Sequence, residues 1–215
     1  MHSRAIFCDF DGTISAGETF VHVLRTYAPA ASAVTIPKIH GFEVSLRDGV
    51  TQMLQTIPSS VYDEAIASAD DVPLRDGLAE IVDWSRGHGI PFIVVSGGLE
   101  DMVRRKLGVI ADRVTAVHAV GIDRSGPNWR VVSPWADDVE LVAKVRVMNH
   151  HAASERVAIG DSTTDVRMSQ VAEVVYARDR LCGQLDERGV SYQQWTDFHD
   201  IRRRLAQRWG LRADS

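Results

Sequence analysis

The sequence predicts an α/β fold: a mostly parallel sheet with helices on both faces, interrupted near its start by a small helical insertion. Three observations carry that prediction. From Gly77 onward, short apolar runs of strand-forming residues alternate with helix-period patterns, the rhythm of strand–helix–strand units. The apolar runs at 6–8, 91–95 and 156–160 stop at or next to polar residues, Asp9, Ser96 and Asp161. Residues 15 to 73 show helical periodicity and no strand pattern.

Taken in order, Ile6-Phe7-Cys8 is too short for a helix and runs into a turn signal at Gly12, so it reads as a strand. Phe20, Val23, Leu24 and Tyr27 share one face of a helix that Pro29 stops. Leu46, Val50, Met53, Leu54 and Ile57 repeat the pattern up to Pro58, and Ser59-Ser60 before Asp63-Glu64 reads as the cap of a third helix. Leu78, Ile81, Val82 and Trp84 form the next helical face, ended by Gly87-His88-Gly89. Pro91 to Val95 is a fully apolar strand of the kind buried on both faces, turning at Ser96-Gly97-Gly98 into a helix over 99–107. Residues 114–122 and 129–132 read as paired strands, 139–149 as a helix carrying Lys144, and 156–160 as a strand. A helix over 162–171, a strand over 174–177 and helical ends complete the chain. The expected division is a core of residues 1–14 and 74–215 with an inserted cap of residues 15–73.

At 215 residues the chain is long enough to bury a sizeable core. Hydrophobic residues at 45% and charged ones at 25% exclude a disordered chain. The net charge of −5 offers no footprint for nucleic acid, and Arg202-Arg203-Arg204 reads as the solvated face of the last helix. Two cysteines, Cys8 and Cys182, make no disulfide framework and suit a reducing compartment. With no secretory leader before the first strand and no apolar run of about 18 residues, a cytoplasmic protein without a membrane partner is expected.

The chemistry converges on the strand ends. Asp9 and Asp11, two residues apart, begin on one face of the first strand and can share a cation. Asp9 suits nucleophilic attack on phosphorus, giving an aspartyl-phosphate. Asp11 suits protonation of the leaving oxygen and then deprotonation of the attacking water. The acidic cluster calls for a hard cation, and Mg2+ fits oxygen donors. Ser96 offers a hydroxyl, Gly97 and Gly98 allow close backbone approach to phosphate oxygens, and Lys144 supplies positive charge. Asp161 is the better metal ligand of the pair Asp161 and Asp165; Asp165 suits a tether for Lys144.

In this order, Asp9-Phe10-Asp11-Gly12-Thr13, Ser96-Gly97-Gly98, Lys144 and Gly160-Asp161-Ser162-Thr163-Thr164-Asp165 resemble the four motifs of the haloacid dehalogenase superfamily of phosphatases. The resemblance covers essentially the whole chain. It implies a Rossmann-like core, catalytic Asp9 and Asp11 with Thr13 in support, Mg2+ as cofactor, and a small helical cap closing over a small phosphorylated metabolite.

Within the superfamily, Tyr27-Ala28-Pro29, Gly49-Val50, the stretch from Leu54 to Ser60, Ala177-Arg178-Asp179 and the stretch from Trp195 to Ile201 are similar to bacterial methionine-salvage phosphatases. Those enzymes act on 2-hydroxy-3-keto-5-methylthiopentenyl-1-phosphate. The chain departs from them between Trp135 and Lys144, where their cysteines are missing. Phosphoserine phosphatases are the alternative. Glu18 stands nine residues after Asp9, where that family holds the substrate amine, and Ser45-Leu46-Arg47 resembles the segment whose arginine clamps the substrate carboxylate. Taken alone, Glu18 reads as a solvated helix-start acid and Arg47 as a helix-surface cation. A phosphatase for another sugar or alcohol phosphate fits the same core. Outside the enzymes, a phospho-accepting receiver module shares the strand-end aspartate, but lacks an acid at the position of Asp11 and an insertion of this size. His150-His151 reads as surface, and His22, His40 and His118 have no spaced partner.

Overall fold

The first strand ends in the apolar run Ala5-Ile6-Phe7-Cys8, and the sheet grows outward from it. The computed structural model describes residues 2–213. Its strands are β1 (His2–Cys8), β2 (Phe92–Leu99), β3 (Ala116–Asp123), β4 (Arg130–Val132), β5 (Ala153–Gly160), β6 (Val174–Ala177) and β7 (Gln193–Gln194). They form one sheet in the order β4-β3-β2-β1-β5-β6-β7, parallel except for β4, which runs antiparallel to β3. Central β1 is buried on both faces: Ala5, Ile6, Phe7 and Cys8 are all fully inaccessible. That burial explains why the strand reads as a continuous apolar run rather than an alternating one.

Successive β1 side chains feed two apolar layers. Ile6 and Cys8 pack with α5 (Leu78–Gly87) and α10 (Phe198–Trp209), where Trp84 and Trp209 stack with centroids 5.9 Å apart. Ala5 and Phe7 share a layer with α6 (Glu100–Leu107), α7 (Lys144–His150) and α8 (Val166–Val171). The inserted helices α1 (Thr19–Tyr27), α3 (Leu46–Leu54) and α4 (Tyr62–Ala67) belong to this same layer, with α2 (Pro29–His40) outside them. The remaining helix, α9 (Asp179–Asp186), follows β6. No helix among the described residues is long and apolar enough to cross a membrane.

The chain enters and leaves the insertion at one place. Ser15 and Leu74 form an antiparallel bridge, flanked by Ala16 N–H to the Pro73 carbonyl and Arg75 N–H to the Ile14 carbonyl, both at 2.9 Å. Further on, the insertion is tied to the rest of the molecule. Tyr62 donates its hydroxyl to Asp101 (2.8 Å), Trp129 donates Nε1–H to the Pro58 carbonyl (3.1 Å), and Ser59 N–H bonds the Pro127 carbonyl (2.8 Å).

Four local expectations are corrected. Pro29 ends α1 but also opens α2, because proline at a first helical position loses no hydrogen bond. β2 does not stop at Val95; it shifts register and continues through Ser96-Gly97-Gly98 to Leu99, so α6 begins only at Glu100. Lys144 is the first residue of its helix rather than a middle one. The Asp137 carboxylate accepts from the N–H groups of Val139 (2.8 Å) and Glu140 (2.7 Å), a local turn that competes with helix. Finally, β7 adds a short edge strand where only helical ends were expected.

Candidate active site

The parallel pairing of β1 with β5 brings their ends together, since Asp9 N–H still bonds the Ile159 carbonyl at 2.9 Å. Asp9 and Asp161 therefore leave the sheet side by side, 4% and 6% exposed. Thr13 donates its hydroxyl to Asp161 Oδ1 (2.9 Å). Asp165, fully buried, turns back from a 3₁₀ turn over 163–165, and its Oδ2 accepts from the N–H of Asp161 (3.0 Å) and of Ser162 (3.1 Å). Lys144 reaches in from the start of α7 and donates from Nζ to Asp9 Oδ1 and to Asp165 Oδ1, the latter at 2.6 Å. Carboxylate oxygens of Asp9, Asp161 and Asp165 all lie within 4.8 Å of one another.

Glycines make this crowding possible. A Cβ at Gly160 would lie 2.5 Å from Asp165 Cγ, and one at Gly12 would lie 2.3 Å from Asp161 Oδ2. Gly12 also has φ of +78°, a conformation unfavourable for other residues.

Three buried carboxylates face one ammonium, and their titration reflects it. Burial, then Asp165, pushes Asp9 well above the usual carboxylate range, although Lys144 pulls it down. Asp161 is pushed up to about 6 by burial and by Asp165. Burial alone would favour neutral Lys144, but Asp165 and Asp9 outweigh it and hold the ammonium charged. Fully ionised, the cluster would carry more negative charge than its lysine compensates, on hard oxygen donors. This donor set fits Mg2+.

Asp11 is not part of that cluster; Asp165 takes the third place. The left-handed turn at Gly12 carries the chain away from the strand direction, and Asp11 Oδ1 instead accepts from Thr19 N–H (2.6 Å), Thr19 Oγ1 (2.5 Å) and Phe20 N–H (3.2 Å) at the start of α1. Its carboxyl is raised by burial, with Thr19 opposing. Asp11 Oδ2 faces Gly98, 2.9 Å from where a Cβ would stand. Ser96, 1% exposed, accepts Gly98 N–H on Oγ at 3.0 Å. A Cβ at Gly97 would meet nothing within 4 Å, so the backbone there faces open space.

The two residues expected to select substrate, Glu18 and Arg47, differ in their relation to the carboxylates. Glu18 is exposed, yet its carboxyl is raised by the surrounding protein and then by Asp11, with Arg180 opposing. Arg47 is turned elsewhere: its N–H bonds the Val139 carbonyl and its Nη1 the Asp137 carbonyl, both at 2.8 Å. Sequence reasoning missed Thr19, which holds Asp11, and Arg75, whose Nη2 donates to the Gly12 carbonyl at 2.8 Å. Neither lies in a motif; each is found only once the insertion folds back on the turn.

Comparison with known proteins bears on the same residues. The family model of haloacid dehalogenase-like hydrolases matches residues 6–170. A 2-hydroxy-3-keto-5-methylthiopentenyl-1-phosphate phosphatase from Microcystis aeruginosa is 42% identical over 205 residues, covering 94% of this chain and 98% of its own. A protein of the same name from Brevibacillus brevis is 29% identical over 210 residues, with 94% and 95% covered. Among solved structures, phosphoserine phosphatase from T. onnurineus superposes with a TM-score of 0.69 at 15% identity, covering 93% of this chain and 92% of that one. This last likeness is one of fold.

Proposed function

Because the chain belongs to the haloacid dehalogenase-like hydrolases and is a phosphatase, we propose that it hydrolyses a small cytoplasmic phosphomonoester through an aspartyl-phosphate on Asp9. We take its substrate to be 2-hydroxy-3-keto-5-methylthiopentenyl-1-phosphate, and residues 15–73 to be the cap over it. Asp9 attacks phosphorus, the bond to the ester oxygen breaks, and Asp11 gives that oxygen its proton. Three donors occupy Asp11 Oδ1, so Oδ2 is the oxygen free to carry the proton, and burial favours its protonated form. Water then attacks phosphorus, Asp11 takes the proton back, and phosphate leaves Asp9.

Ser96 receives Gly98 N–H on its oxygen and keeps its own hydrogen for a phosphate oxygen. Gly97 leaves the backbone accessible beside it. Lys144 neutralises Asp9 and the incoming anion. Asp165, with both oxygens engaged, holds Lys144 in place. Asp9 and Asp161 would hold Mg2+, which supplies positive charge against the phosphate dianion.

The observation that carries the substrate is the 42% identity to the Microcystis enzyme along nearly the full length of both chains. Arg47 supports the same choice over phosphoserine, because its guanidinium is engaged on the 133–143 segment instead of standing ready for a carboxylate. Phosphate release with Mg2+ tests the reading, using phosphoserine, the diketo pentenyl phosphate, sugar phosphates and an aryl phosphate, with Asp9→Asn as blank. Preference for the diketo ester is expected, and preference for phosphoserine would overturn the substrate. Asp11→Asn should slow turnover by roughly 10²–10⁴-fold, as for other lost acid/base groups.

A further inference from the structure

Away from the carboxylates, three histidines and a tryptophan gather where the end of α7 meets β3. His118, in register with Val95 on the neighbouring strand, directs Nε2 at Nε2 of His151, 2.7 Å away. Their ring centroids are 5.0 Å apart. His150, the last residue of α7, is exposed, with its ring 4.9 Å from that of His151. Trp135 stands edge-on to His118 at 4.6 Å and to His150 at 5.2 Å, walling the group on one side. The phosphatase chemistry proposed at Asp9 uses none of these residues.

Two imidazole nitrogens directed at each other at this distance share a proton, and with a small rotation of the rings the same two nitrogens can share a metal ion instead. Nitrogens that bind one ion tetrahedrally at about 2.0–2.1 Å stand about 3.3–3.4 Å apart, so the pair needs to open by about 0.6–0.7 Å. Proton competition is weak, because burial and the neighbouring His151 push His118 down to about 4. His150 and then Arg104 also act on His118, and the charge of Arg104 is matched by Glu100 at 2.8 Å. Imidazole donors suit zinc and copper, whereas Mg2+ prefers oxygen. The two kinds of site would therefore select different ions.

We propose that His118 and His151, joined by His150 after rotation of its exposed side chain, bind a divalent transition metal of the Zn2+ or Cu2+ class. The rotation is required: among the described residues, only Asp9, Asp161 and Asp165 already bring three ligand atoms together. A metal here would tie β3 to the far end of the helix whose first residue, Lys144, binds Asp9 and Asp165.

The test is titration of metal-free protein with Cu2+ under saturating Mg2+, followed by electron paramagnetic resonance. One site is expected, with splitting from at least two nitrogens. His118→Gln and His151→Gln should each weaken it by at least about tenfold, in line with the sensitivity of metal sites to lost partners, while Asp9→Asn leaves it intact. Several equivalent weak sites, an oxygen-only spectrum, or binding that follows Asp9 rather than the histidines would overturn the proposal. Circular dichroism of each metal-free variant controls for folding. Should His118→Gln unfold, His151→Gln, at the helix end, decides alone.

Discussion

At Gly12 the backbone has φ of +78°, and the space a side chain would need is already filled by Asp161. Gly12→Ala carries both penalties: about 1–2 kcal/mol for the left-handed backbone, and displacement of a carboxylate from the cluster. Thermal melting should drop, and Mg2+-dependent phosphate release should fall with it. A variant as active and stable as the parent would show that the turn can relax. A subtler change is Thr19→Val, which removes the hydroxyl donor from Asp11 Oδ1 while keeping the shape. Losing a bond to the charged form raises the pKa, so the limb of the pH–rate profile belonging to Asp11 should move to higher pH. At this scale, the convergence of Asp9, Asp161 and Ser96 was legible because polar residues ending apolar strands of a parallel sheet meet at one edge; Lys144, on a helix, was legible through its place among the motifs. Thr19 and Arg75 were not, because they meet Asp11 and Gly12 through the path of the insertion, which no local pattern encodes.

At the scale of elements, the 133–143 segment links more than its irregular sequence suggests. Asp137 turns the chain ahead of Lys144 and pairs with Arg167 at 2.9 Å, and its carbonyl receives Arg47 from α3. Arg47 thus braces the approach to Lys144. Arg47→Ala is expected to lower turnover by a similar factor on every substrate of the panel, instead of switching preference among them. Measured kcat and KM for each ester decide; a selective loss for carboxylate-bearing esters would return Arg47 to a substrate role. Helix faces and core strands were readable from periodicity, since burial imposes it. The α2 helix, whose Pro29 reads as a stop, and the continuation of β2 through two glycines ran against local signals and were set by packing and by strand pairing.

For the molecule as a whole, the decisive quantity is the negative charge buried at the sheet's edge. Asp161 ordinarily titrates near 3.9 but is raised to about 6 here. In metal-free protein, the stability this group contributes is complete below its ordinary value and is lost as pH rises through about 6. A cation can replace the missing proton, so Mg2+ should raise the melting temperature more near pH 7.5 than near pH 5. Scanning calorimetry with Mg2+ and with chelator measures both shifts, and equal shifts would place the ion elsewhere. The overall α/β architecture was legible, because alternation of strands and helices determines layers and crossovers. The shared apolar layer beneath the insertion was not, since it joins residues as distant as Phe20 and Met148.

The bridge between Ser15 and Leu74 has a consequence for engineering and descent alike. Strand-paired residues stand only about 4.5–5.5 Å apart, so the whole insertion departs from and returns to a single spot. A different module could be spliced there without lengthening or rerouting the sheet. Any such graft would inherit a debt to Trp129, Met102 and Val95, which now pack in one layer with the inserted helices. The substitute would have to present an apolar face of its own to them, and that requirement limits which modules this scaffold can accept.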